Sequence, residues 1–189
     1  MKRGFKAGVE RIADETRSEL CLDETERFDP LSLAKHLAIP VLTIAKLAAL
    51  APGNSFERYF SVVDLDSFSA VTVFRGTRRL IVHNENHHPN RQASDLSHEL
   101  SHTLLEHLPT LVAGMDGRRC WNPEVEEEAA WLGAALLLPR NGILRMVKAR
   151  CSVIDIAASY GVSESLCIWR IRQSGVHQQA ERWRRAWRR

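Results

Sequence analysis

The stretch "DLSHELSHTLLEH", residues 95–107, places His98 and His102 four positions apart, with Glu99 directly after the first histidine. On a helix turning about 100° per residue, the two imidazoles lie about 40° apart around the axis and one turn apart along it. They can therefore converge on a single metal ion. Glu99 falls about 60° from His102, beside the metal face rather than on it. A carboxylate there can take a proton from an attacking water without serving as a ligand. Leu96, Leu100, Leu104 and Leu108 form a row on the opposite side, so the helix has a core face and a histidine face.

An H-E-x-x-H string arises by chance in on the order of a few per cent of shuffled chains of this composition. Two surface histidines are the plain alternative, and a third ligand is needed to weigh against it. "EVEEEAAWLGAALLLP" supplies candidates. Glu126, Ala129, Ala130, Gly133 and Leu137 share one helical face, and its small residues allow close approach to another backbone. Glu126 can complete a two-histidine, one-glutamate zinc site with the fourth position open to water. Glu128, about 200° around the helix from Glu126, is the second candidate because the helix beyond it is apolar all round. The neighbouring acids suit the positive end of a helix dipole. His107 follows His102 by five residues with no glycine to turn the chain. On a continuous helix it points about 140° away, which argues against it as a ligand. His87, His88 and Arg91 precede the motif and are candidates for holding substrate, by position alone.

Other elements must position these groups. Val9 to Leu20 has helical spacing, and in "DPLSLAKHLAIPV" Asp29 suits an N-cap, Pro30 a first turn and Pro40 an exit. "YFSVVDL", "FSAVTVF" and "RRLIVHN" are rich in valine, phenylalanine and isoleucine. They predict a small sheet whose last two strands form a hairpin at Arg75-Gly76-Thr77. Asn122 and Pro123 open the glutamate-bearing helix and Pro139 ends it. The order predicts an α+β fold: a small antiparallel or mixed sheet packed against the H-E-x-x-H helix and the glutamate-bearing helix, followed by a helical appendage. Residues 1–142 are expected to form the metal-site domain and 143–189 a helix-turn-helix-like segment with a basic tail.

Composition bounds the setting. Of 189 residues, 44% are apolar and 26% charged, as in a soluble globular protein. The most apolar stretch, "IPVLTIAKLAALAP", carries Lys46 and is a poor membrane span. The N-terminus lacks the apolar core of a signal peptide. Cys21, Cys120, Cys151 and Cys167 show no C-x-x-C pairing, so reduced thiols and a cytoplasmic location are expected. The net charge of +3 is uneven, because the six arginines and one glutamate from Arg172 onward outweigh a slightly acidic body.

Together these motifs resemble the ImmA/IrrE family of zinc metallopeptidases. The resemblance runs through "IVHN", Arg91 and the H-E-x-x-H helix, and resumes in "VEEEAAWLGAALLLP", which is similar to the family's E-x-x-A-N-x-F-A-x-x-L-L-M-P helix. With "LSLAKHLAIPV" and "IAASYGVSESLCIWRIR" it spans most of residues 5–175. It implies a zincin-like fold, zinc held by His98, His102 and Glu126, and Glu99 as general base. It also implies hydrolysis of a peptide bond in a protein substrate. A helix-turn-helix repressor is the candidate partner, which would link the chain to transcription regulation. Among the departures from the pattern, Ala130 replaces a polar residue, Leu132 a phenylalanine, and Ser101 the glycine of H-E-L-G-H. Losing a polar partner of a ligand histidine, as at Ala130, typically costs about 10–100-fold in metal affinity.

The rival function is a non-catalytic regulator that binds DNA or a partner. "DIAASYGVSESLCIWRIR" has the apolar helix, glycine turn and second helix of a helix-turn-helix, and "RWRRAWRR" follows it. The second helix offers Glu164, Arg170 and Arg172 rather than a basic stripe, so nucleic acid is the less favoured partner.

Overall fold

A computed structural model describes residues 4–50, 68–107 and 122–186. It is a mixed α+β structure, mostly helical, that divides into two compact units: Asp29–Ala130, and Lys2–Phe28 together with Trp131–Arg189.

In the Asp29–Ala130 unit, the Asp29 carboxylate accepts hydrogen bonds from the backbone amides of Leu31 and Ser32, and Pro30 occupies the first turn of the helix that follows.

 That helix is α2 (Pro30–His36), and α1 (Phe5–Glu19) precedes it. Pro40 ends the helical run, and the chain enters strand β1 (Val41–Thr43) and then α3 (Ile44–Leu50). β2 (Ala70–Arg75) and β3 (Arg78–His83) form the expected hairpin, closed at Gly76, whose φ of 63° suits a residue without Cβ. The sheet order is β1-β3-β2, with β1 parallel and β2 antiparallel to β3. The sheet is therefore mixed. β1 was not foreseen from sequence, where "PVLT" read only as an exit from the preceding helix: three residues are too few to show a strand period. The earlier strand expected in "YFSVVDL" lies outside the described residues.

Helix α4 (Pro89–Leu104) carries the H-E-x-x-H motif and packs against α2, β2 and β3. Leu96 and Leu100 are buried, as the leucine row requires, and Ser97 and Ser101 are buried beside them. Leu104 is half-buried, while Leu108 lies outside the described residues. The Ser101 hydroxyl donates to the Ser97 carbonyl at 2.7 Å. A serine replaces the family's glycine here without leaving its hydroxyl unpaired.

The second unit contains α1, the C-terminal half of α5 (Pro123–Leu137), and the helices α6 (Arg140–Lys148), α7 (Val153–Tyr160), α8 (Glu164–Gln173) and α9 (Val176–Ala186). Two buried guanidiniums serve the end of α5, where helix carbonyls lack amide partners. Arg17 donates to the Leu136 carbonyl at 3.0 Å, and Arg170 donates to the Leu138 carbonyl at 3.1 Å while pairing with Glu10 at 2.6 Å. No helix among the described residues is long and apolar enough to cross a membrane.

Gly142, in α6, marks a close approach. A Cβ there would collide with the Glu24 carbonyl oxygen and the Tyr160 hydroxyl, which are themselves hydrogen-bonded at 2.8 Å. Gly142→Ala should therefore destabilise the protein by about 1–3 kcal/mol, although alanine favours a helix by about 1 kcal/mol. Urea unfolding checks this, and a variant as stable as its parent would contradict it.

Candidate metal centre

Helix α4 presents His98 and His102 on one face, with their Nε2 atoms 3.1 Å apart. Helix α5 brings Glu126 to them: its Oε2 is 3.1 Å from His98 Nε2 and 3.6 Å from His102 Nε2. Glu126 lies in the first turn of α5, where the helix dipole favours a carboxylate. Asn122 precedes that turn, and its side-chain oxygen accepts from the Glu124 amide at 3.1 Å.

The donor set can be tested against an ion. Around a tetrahedral zinc with ligand bonds of about 2.0–2.1 Å, neighbouring ligand atoms lie roughly 3.3 Å apart. The three separations bracket that value. Two imidazole nitrogens and a carboxylate oxygen are also a chemistry that zinc accepts. The side chains of His98, His102 and Glu126 are 29%, 19% and 24% exposed, so the group is held in place but still open to solvent. These three form the one cluster among the described residues whose ligand atoms all lie within 4.8 Å of one another.

Glu99 stands outside this group. The Thr72 hydroxyl, on β2, donates to its Oε2 at 2.6 Å. Thr72 was not singled out from sequence, because nothing in a strand threonine announces which helical carboxylate it will meet.

His107 lies outside the ligand cluster, but the continuous helix assumed for it is not there. α4 stops at Leu104, and Glu106 adopts a left-handed φ of 54°. The His107 amide then bonds to the His102 carbonyl at 2.9 Å and the Glu106 amide to that of Thr103 at 3.1 Å. This helix ending is usually built on glycine, and the lack of glycine suggested that the helix would continue. Instead the turn returns the ring: His107 Nδ1 is 2.9 Å from His102 Nδ1, and its Nε2 is 3.4 Å from Glu128 Oε2. Glu128, the second candidate ligand, thus faces His107, while Glu126 faces the histidine pair.

His87, His88 and Arg91 belong to the entry of α4. His87 is buried, with Nε2 3.3 Å from the Asn84 side-chain nitrogen. His88 caps the helix, its Nδ1 accepting from the Asn90 amide at 3.2 Å. Arg91 is exposed and donates to the Ser69 hydroxyl at 3.0 Å. Gln92 adds hydrogen bonds to the carbonyls of Glu85 and His87. Ala130, the departure from the family pattern, is exposed.

Two histidines and a glutamate converging from two helices form a donor set that could hold a metal ion. The family model of the IrrE N-terminal-like domain, peptidase family M78, matches residues 55–172. The chain belongs to this family, and membership supports a metallopeptidase-type function. Among curated proteins, none matches the chain.

Burial pushes the Asp95 carboxyl above its ordinary 3.8, against the opposing pull of Arg91 and His87. The folded chain therefore holds this proton more tightly than the unfolded chain does. Ionisation costs stability as pH rises through the folded value, and below 3.8 that cost is absent. Asp95→Asn should accordingly unfold at higher denaturant than its parent at pH 7, with the difference shrinking on acidification. A difference that grows as pH falls would contradict this assignment.

Proposed function

We propose that this chain is a zinc-dependent endopeptidase that acts in the cytoplasm on a protein substrate. The observation that carries the proposal is the convergence of His98, His102 and Glu126, and Glu99 follows His98 directly on the same helix. When bound there, zinc supplies Lewis acidity, lowering the pKa of a coordinated water toward ~7 and polarising the scissile carbonyl. Glu99 receives the proton of the attacking water and passes it to the leaving amine. Thr72 holds the Glu99 carboxylate by one oxygen, and the proton goes to the other. In this reading residues 1–142 are the peptidase segment, and the helices of 143–189 are available to a partner. The family resemblance suggests a helix-turn-helix transcriptional repressor as substrate, which would make cleavage a step in gene regulation.

Binding of nucleic acid through α7 and α8 is less favoured. Of the charged side chains on the second helix, Arg170 is fully buried and paired with Glu10. Glu164 and Arg172 are left exposed, a poor footprint for a polyanion.

Glu99→Gln keeps the size of the side chain and removes its basicity. Cleavage by the variant should fall by about 10²–10⁴-fold, with the zinc content of the purified protein unchanged. Undiminished proteolysis would remove Glu99 from the mechanism.

A further inference from the structure

We propose that His107 and Glu128 are positioning residues that orient His102 toward the metal through a two-step hydrogen-bond chain. The inference rests on the zinc reading above and extends it to two residues outside the ligand set.

The argument follows from which nitrogen is committed where. His102 turns its Nε2 toward His98 and Glu126. A ligand nitrogen must offer its lone pair, so the ring proton of neutral His102 resides on Nδ1. That atom lies 2.9 Å from His107 Nδ1, which must then be the acceptor. The proton of His107 is thereby placed on Nε2, the atom 3.4 Å from the Glu128 carboxylate. One arrangement of protons satisfies every step: His102 Nδ1–H donates to His107, and His107 Nε2–H donates to Glu128.

Burial suits this role. The His107 and Glu128 side chains are only 10% and 19% exposed, so water competes weakly for the chain. A ligand histidine whose second nitrogen donates to a basic partner is fixed in tautomer and ring orientation, and is a better donor to the metal. Ala130 provides no such acceptor. The chain through His107 supplies a hydrogen bond of the same kind from a different part of the sequence.

Zinc affinity, measured by competition with a chromophoric chelator, tests the proposal without requiring a substrate. His107→Phe keeps a ring but removes the acceptor, and should weaken zinc binding about 10–100-fold. His107→Asn places an amide oxygen near the former Nδ1 and should bind more tightly than His107→Phe. A role in packing alone predicts the reverse order. Glu128→Ala should weaken binding in the parent but have little further effect in His107→Phe, because it acts through that ring. Thermal unfolding of the metal-free variants separates these effects from misfolding. Nitrogen NMR of the zinc-loaded parent should find the proton on Nδ1 of His102 and on Nε2 of His107, and the opposite tautomer at His107 would overturn the proposal. Unchanged affinity in His107→Phe would also overturn it while leaving the zinc site standing. A parent protein that binds no zinc would overturn both.

Discussion

The Asp29–Ala130 unit is organised around a demanding meeting of three polar groups, the Nε2 atoms of His98 and His102 and the carboxylate of Glu126. Each would otherwise be solvated by water. Bringing them within hydrogen-bonding range removes part of that solvation, and an ion accepting all three lone pairs is the natural compensation. The constraint reaches outward through the helices. Leu96 and Leu100 seat the opposite side of α4 in the core, while His88 and Pro89 fix where it begins. A slip of about two residues at that start would turn both histidines away from Glu126.

Helix α5 carries a second constraint. Its first turn bears Glu126, and its other end belongs to the unit containing α1 and α6–α9. There Arg17 and Arg170 satisfy the Leu136 and Leu138 carbonyls. Burying two guanidiniums is costly unless each is well paired, and Glu10 supplies the carboxylate for Arg170.

Much of this was legible in the sequence because it depends on period. The spacing of His98, Glu99 and His102 dictates a shared face on any helix, and the leucine row dictates which face turns inward. The β2–β3 hairpin announced itself through valine-rich strands around Gly76. What escaped notice depends on tertiary contact or unusual backbone. β1 is too short for a pattern and exists because β3 offers it an edge to pair with. The return of His107 depends on Glu106 adopting a conformation that non-glycine residues seldom take. Thr72 became significant only when the sheet brought it to Glu99.

The central claim is that His98, His102 and Glu126 together hold one zinc ion. Elemental analysis of the purified protein beside its Glu126→Ala variant tests it most directly. The account predicts about one zinc per chain in the parent, and its loss or marked weakening in the variant. Absence of zinc from the parent even after reconstitution, or equal retention by the variant, would contradict it.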